Sequence, residues 1–182
     1  RRTAKLVKML NERKADIILF AGDIVDEDLA PVIHYDLGRS LKKLKAPMGV
    51  YAITGNHEYI GGAEAAVKYL EEHNIKIIRD TAVKINESFY LAGRNDRDSQ
   101  RFSGKGRKSL VEVLEGVDFS MPVIMMDHQP FNLQQVADAC GLEAGQVRAA
   151  CCCCCRPEAQ VPQHEEVEAV AQPAKRTRTA HR

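Results

Sequence analysis

Short apolar runs alternate with helical stretches along the first 139 residues, and this alternation constrains the fold more than any other feature. Four runs have the length and content of buried strands, namely residues 17–20, 49–54, 75–80 and 122–127. Five stretches have helical spacing or composition, namely residues 4–14, 31–45, 62–73, 132–139 and the end of 104–117. This order predicts βαβ units, right-handed crossovers and a mostly parallel sheet. A polar turn between residues 83–85 and 89–92 predicts one hairpin.

Length and charge exclude several functional classes. At 182 residues the chain fits one domain with a sizeable core. A net charge of +1 creates no field that attracts nucleic acid, so no nucleic-acid partner is predicted. No run reaches the roughly 18 apolar residues that cross a bilayer. The chain opens at Arg1 inside a helical pattern, so we expect a preceding region, which could include a membrane anchor, and a cytoplasmic or membrane-associated location.

Polar clusters follow three of the predicted strands. The sequence reads GDIVDE after the first strand, GNHEY after the second and DHQP after the last. Because the carboxyl ends of parallel strands meet at one edge of an open α/β sheet, we expect the three clusters to share a site there. Each cluster taken alone also fits a strand-ending turn or a loop histidine.

The residue types in these clusters are those of a divalent metal site. Asp23 offers a carboxylate that can bridge two ions, Asn56 a neutral amide oxygen, and His128 an imidazole nitrogen. The neutral amide adds no negative charge that would repel a phosphate. His57 follows Asn56 and is placed to give a proton to a departing alkoxide. We therefore predict Asp23, Asn56 and His128 as metal ligands and His57 as the catalytic residue.

These motifs resemble the calcineurin-like metallophosphoesterase family, and MGVYAITGNHEYIGG with LAGRNDR is similar to its bacterial branch. The resemblance implies an α/β fold, a sandwich of two mixed β-sheets flanked by helices. It implies two divalent ions of manganese, iron or zinc bridged by Asp23, with Asn56 and His128 binding one of them. The implied reaction is hydrolysis of a phosphoester substrate by attack of a metal-bound hydroxide, assisted by His57. Arg94 is the candidate contact for the substrate phosphate, with surface salt bridging as its alternative role.

Two elements of the family pattern have no counterpart in the sequence. No Asp-x-His element stands at the start of the chain, and no Gly-His-x-His element follows residue 139. Residues 1–139 are therefore predicted to be a metallophosphoesterase domain, a fragment incomplete at both ends. By the family pattern, one ion would keep Asp23, Asn56 and His128 as ligands, and the other would keep only Asp23. We therefore expect this chain to bind one ion or none and to have weak or no activity. The alternative is a non-catalytic, weakly metal-binding module that retains the fold.

The tail, residues 140–182, differs from the rest in composition. It contains all six cysteines, five of them consecutive at residues 151–155, together with scattered proline and glutamine, and no strand is predicted in it. Such a segment buries no apolar face and is expected to be irregular or disordered. We interpret it as sequence out of frame with its gene. The alternative is a genuine tail whose cysteines attach lipid or bind a soft metal.

Overall fold

Two β-sheets pack against each other in a computed structural model that describes residues 2–130 and 147–150. The strands are β1 Ile18–Ala21, β2 Val50–Ile53, β3 Lys76–Ile77, β4 Thr81–Ile85, β5 Phe89–Gly93, β6 Val123–Met126 and β7 Val147–Ala150. The helices are α1 Arg2–Arg13, α2 Leu29–His34, α3 Leu37–Leu41, α4 Asn56–Gly61, α5 Ala63–Glu72, α6 Ser99–Ser103 and α7 Leu110–Val113. The expected sandwich of two sheets flanked by helices is confirmed.

Strand order and direction follow the predicted βαβ pattern. The first sheet has the order β1-β2-β3, with both pairs parallel. The second sheet has the order β4-β5-β6-β7, in which β4 and β5 form the predicted antiparallel hairpin and the other pairs are parallel. The three polar clusters follow the carboxyl ends of β1, β2 and β6. The expectation that they share the edge of one parallel sheet is wrong, because β6 belongs to the second sheet and its cluster meets the other two through the packing of the sheets.

Side-chain alternation along the strands divides the core into layers, as a period of two residues requires. In β1, Ile18 and Phe20 pack under the helices, while Leu19 faces the second sheet. In β6, Met126 points between the sheets, and Met125 points to the outer layer that α7 covers. Strands β1, β2 and β6 are thus buried on two faces, which explains why they read as continuous apolar runs.

The helix predicted over residues 31–45 is two short helices. Helix α2 begins after Asp28, whose side chain accepts a hydrogen bond from the Ala30 amide, and it ends at His34. Asp36 then adopts a left-handed backbone with φ +49°, which interrupts the helix before α3. Aspartate tolerates this region better than most residues, so the break falls at a position where its cost is small.

One segment of the predicted irregular tail is a strand in the structure. Val147–Ala150 form β7, which pairs in parallel with β6, although no strand was predicted after residue 139. A neighbouring strand supplies the hydrogen bonds here, and this overrides the weak strand propensity of an Arg-Ala-Ala sequence. The helix predicted over residues 132–139 and the rest of the predicted tail lie outside the described residues. Across the described ranges, no helix combines the length and apolarity of a membrane span.

Candidate metal centre

Asp23 lies in the loop that follows β1, in an unusual backbone conformation. Gly22 and Asp23 both have positive φ angles, +89° and +53°, so the chain turns sharply at the end of the strand. One carboxylate oxygen of Asp23, Oδ1, accepts a hydrogen bond of 3.1 Å from the His57 amide. The other oxygen, Oδ2, lies 3.3 Å from Nε2 of His128. Asp23 thus connects the first polar cluster to the other two.

The His128 ring is fixed at both nitrogen atoms. Its Nδ1 atom lies 2.7 Å from the carbonyl oxygen of Ala21, and because a carbonyl only accepts, Nδ1 carries a proton. Its Nε2 atom lies 3.0 Å from Oδ1 of Asn56, the first residue of α4. A backbone contact on one nitrogen that leaves the other facing oxygen donors is the usual arrangement of a metal-binding histidine.

The distances from His128 to the other two predicted ligands fit one divalent ion. Ligand atoms about 2.1 Å from an ion lie about 3.0 to 3.4 Å from each other at octahedral or tetrahedral angles. The distances from His128 Nε2 to Asp23 Oδ2 and Asn56 Oδ1, 3.3 and 3.0 Å, fall in this range. Carboxylate, amide and imidazole together suit manganese, iron or zinc. The structure brings the three predicted ligands together, and their binding of metal stays a prediction.

The Asp23 carboxylate and the His128 imidazole change each other's pKa. Burial alone lowers the pKa of His128, but its hydrogen bonds to Asp23 and Ala21 and the charges of Asp23 and Asp96 raise it to about 9. Burial raises the pKa of the Asp23 carboxyl, but the hydrogen bonds and charges of His128 and His57 together outweigh burial, so that this pKa is lowered. Metal binding at this site must therefore displace a proton.

The stability of the metal-free protein is expected to fall at alkaline pH. Because the folded pKa of His128, about 9, exceeds its ordinary value of 6.5, its contribution is complete below pH 6.5 and lost as pH rises through 9. The loss is on the order of 3 kcal/mol. Denaturant unfolding between pH 6 and 10 in the presence of chelator measures it. The same pH dependence in a His128→Gln variant would contradict this assignment.

His57, the second residue of α4, contacts acidic side chains of the loop that follows β1. Its Nδ1 atom lies 2.6 Å from Asp26 Oδ1 and 3.8 Å from Glu27 Oε1. Its Nε2 atom faces the candidate ion site, 3.9 Å from Asp23 Oδ2, and the side chain keeps 22% exposure. The donors of Asp26, Glu27 and His57 lie within 4.8 Å of one another and form a second group that could hold a metal.

Arg94 lies at the end of β5 in a buried ion pair, not in the surface salt bridge considered as its alternative role. Its guanidinium is 3.4 Å from the Asp127 carboxylate and 3.2 Å from the Lys108 carbonyl. Burial and the charge of Arg107 lower the pKa of Arg94. Asp127 directly precedes His128, so Arg94 contacts the strand end that carries a predicted ligand. Binding of a substrate phosphate by Arg94 stays a prediction.

Glu58 was only a weak candidate in the GNHEY cluster and was not among the predicted site residues, although the structure places its side chain against the loop that carries Asp23. Its side chain is 1% exposed, and it accepts hydrogen bonds from the amides of Asp23, Val25 and Gly55. Burial raises the pKa of this carboxyl, while the amide donors lower it. The sequence held one local indication of this role, because Glu58 stands three positions after Gly55. An acidic side chain at that position can accept a hydrogen bond from the backbone amide at the start of a helix.

Asp96 is a second buried carboxyl that the sequence did not identify. It is 0% exposed, and its Oδ1 atom accepts a hydrogen bond of 2.8 Å from the Asp98 amide. Its Oδ2 atom has no hydrogen-bond partner among the described residues. Burial raises the pKa of Asp96, and the charge of His128 opposes this rise, so the two groups sense each other's charge.

Gly55 is required by close packing in the site. A Cβ atom at this position would lie 2.2 Å from Asp23 Oδ1 and 2.9 Å from His128 Cε1. We expect Gly55→Ala to displace the Asp23 carboxylate and raise the Kd for Mn²⁺ about 10- to 100-fold, measured by calorimetric titration. Gly104→Ala is the matched control, since its Cβ meets open space and only its φ of +71° is strained. Equal Mn²⁺ affinity in Gly55→Ala and the unaltered chain would contradict the expectation.

Comparisons with known proteins find one family of relatives. The family model described as calcineurin-like phosphoesterase matches residues 1–154. An uncharacterized metallophosphoesterase of Aquifex aeolicus is 34% identical over 127 residues, which cover 69% of this chain and 48% of that protein. One of Helicobacter pylori is 30% identical over 137 residues, covering 74% and 35%. A transmembrane protein with metallophosphoesterase domain of Danio rerio is 26% identical over 140 residues, covering 72% and 31%.

The chain spans about half or less of the length of these relatives. No solved structure matches the chain. The match to the family model extends to residue 154, whereas the domain predicted from the sequence ends at residue 139.

Proposed function

The chain belongs to the calcineurin-like phosphoesterase family, a family of metal-dependent phosphoesterases, and on this premise we propose that it hydrolyses a phosphoester. The observation that carries the proposal is the meeting of Asp23, Asn56 and His128, three residues far apart in the sequence: His128 Nε2 lies 3.3 Å from Asp23 Oδ2 and 3.0 Å from Asn56 Oδ1. Such a meeting of carboxylate, amide and imidazole has no evident use in core packing. The proposed substrate is a phosphoester, and the proposed ion is manganese, iron or zinc.

In this proposal Asp23, Asn56 and His128 hold the divalent ion. A bound ion would polarise the phosphoryl group and lower the pKa of an attacking water, which removes the need for a nucleophile from the protein. His128 must be neutral to bind, and its Nδ1–H donor to the Ala21 carbonyl keeps the lone pair at Nε2. Asn56 contributes an oxygen without charge, so the site keeps its attraction for an anionic substrate.

His57 is the proposed proton donor to the departing alkoxide. The Asp26 carboxylate, 2.6 Å from Nδ1, orients the ring. The proton that would leave is the one on Nε2, the nitrogen that faces Asp23 and the ion site. The side chain is 22% exposed, so a substrate can reach it from solvent. A carboxylate that orients the ring and an open face on its other nitrogen are what a general acid needs.

For its location we propose association with a membrane or the cytoplasm. Relatives in Danio rerio and Bos taurus are named transmembrane proteins with a metallophosphoesterase domain, whereas the bacterial relatives carry no such wording. Fractionation of cells that express the natural protein, followed by salt and detergent washes of the membranes, decides between the two.

An assay of the metal-stripped chain tests the proposed activity. We expect only weak hydrolysis of p-nitrophenyl phosphate or bis-p-nitrophenyl phosphate when Mn²⁺ is added, because a second ion would have only Asp23 as a ligand, and we expect hydrolysis to stop when a chelator is added in excess. Turnover that persists in chelator would contradict a metal-dependent reaction. Stoichiometric Mn²⁺ binding without turnover of any phosphoester would contradict the enzyme and favour the non-catalytic module.

A further inference from the structure

We propose that Glu58 is a positioning residue that fixes the loop carrying Asp23 against the turn carrying Asn56, an inference that rests on the metal centre proposed above. The loop is residues 22–25 after β1, and the turn is residues 55–58, which opens α4. Both segments carry predicted metal ligands, but they belong to different strands of the sheet. Their relative placement decides whether the donor atoms of Asp23 and Asn56 can reach one ion.

The carboxylate of Glu58 joins the two segments through backbone donors. Its Oε2 atom accepts from the Asp23 amide at 2.9 Å and from the Gly55 amide at 2.8 Å, and its Oε1 atom accepts from the Val25 amide at 2.9 Å. Only the bond to Gly55 is local. The other two cross 35 and 33 residues of sequence, so Glu58 does more than cap its own helix.

The connection between loop and turn runs in both directions. The Asp23 amide donates to Glu58, and the Asp23 carboxylate accepts from the amide of His57, the residue before Glu58. These two bonds hold Asp23 in its left-handed conformation, φ +53°, which a non-glycine residue rarely adopts unassisted. With Oδ1 taken up by the His57 amide, Oδ2 is the oxygen left facing His128.

Only a glutamate at position 58 can make all three bonds. Both of its oxygens act as acceptors, whereas a glutamine offers one acceptor and an NH₂ group that would oppose at least one backbone donor. An aspartate is one methylene shorter and would not span the distance to both segments. The Glu58→Gln substitution therefore keeps size and shape and removes the acceptor pattern alone.

Amide hydrogen exchange on the full metal-free chain tests the connection without relying on metal or activity. In the unaltered protein we expect the amides of Asp23, Val25 and Gly55 to be protected from exchange. In Glu58→Gln we expect at least one of them to exchange at least 10-fold faster, while amides of β1 and β2 keep their rates. Rapid exchange of all three amides in the unaltered protein would overturn the proposal even if the variant fails to fold.

Metal titration then separates positioning from general stability. For Glu58→Gln we expect a 10- to 100-fold higher Kd for Mn²⁺ at a temperature where the variant is folded, and partial recovery of kcat at saturating Mn²⁺. Glu72→Gln, on the exposed end of α5, is the matched control and should leave the Kd unchanged. A folded Glu58→Gln variant with unchanged Kd and unchanged exchange would refute the positioning role. If the unaltered chain binds no Mn²⁺ while its three amides are protected, the proposed function fails and the connection between the segments stands.

Discussion

Replacing Asp23 by asparagine is expected to raise the Kd for Mn²⁺ by more than about 100-fold and to reduce phosphoester turnover to background. The substitution removes one negative charge from the proposed ion and leaves the shape of the side chain intact. Asparagine tolerates the left-handed conformation of position 23, so the backbone should not be strained. Calorimetric titration with Mn²⁺ and steady-state hydrolysis of p-nitrophenyl phosphate measure the two effects.

Asp36→Asn supplies the matched control for this prediction. Asp36 also has a left-handed backbone, φ +49°, but it is exposed and lies between α2 and α3, outside the proposed site. We expect this variant to bind Mn²⁺ and to turn over substrate as the unaltered chain does. If Asp23→Asn retained both properties as well, Asp23 would not be a ligand and the proposed centre would be wrong.

Replacing His57 by glutamine is expected to lower kcat by about 10²- to 10⁴-fold with little change in Mn²⁺ affinity. The imidazole contacts Asp26 and faces the ion site without belonging to the three proposed ligands, so its loss should affect proton transfer more than metal binding. The loss should be larger for an alkyl phosphoester than for a p-nitrophenyl ester, since nitrophenolate leaves without needing a proton. Parallel kinetics on both substrates measure this difference.

His34→Gln controls for the removal of a histidine, because His34 is exposed on α2, outside the proposed site. It should leave both substrates unaffected. An equal loss of kcat on both substrates in His57→Gln would contradict a proton donor and would instead favour a role for His57 in binding the phosphoryl oxygens or the metal.

The fold could be predicted from the sequence because its strongest determinants are local. Buried parallel strands show as apolar runs, and the hairpin of β4 and β5 shows as alternation around a polar turn. The break at Asp36 was missed since the apolar spacing of residues 31–45 continues across it. Strand β7 was missed since its pairing with β6 is a long-range contact that the sequence of Val147–Ala150 does not encode.

The difference between local patterns and long-range contacts also applies to the candidate site. Asp23 and Asn56 follow neighbouring parallel strands of the first sheet, so the topology of a parallel sheet was enough to predict that these two meet at one edge. His128 follows β6 of the second sheet, and it joins them because the two sheets pack against each other, which the single-sheet argument did not contain. Glu58 differs because two of its three hydrogen-bond donors lie 33 and 35 residues earlier in the sequence. Burial of Arg94 depends on Asp127, a residue of another strand end, and no local pattern distinguished it from a surface arginine. Residues that support a site through long-range contacts, such as Glu58 and Arg94, can be identified only from the structure.

The most direct test of the account is the position of the metal in a crystal of this chain soaked in Mn²⁺, located by anomalous scattering. The account predicts a peak about 2.0 to 2.4 Å from Asp23 Oδ2, Asn56 Oδ1 and His128 Nε2 together. A peak held only by Asp26, Glu27 and His57, or no peak within bonding distance of His128 at saturating Mn²⁺, would contradict it.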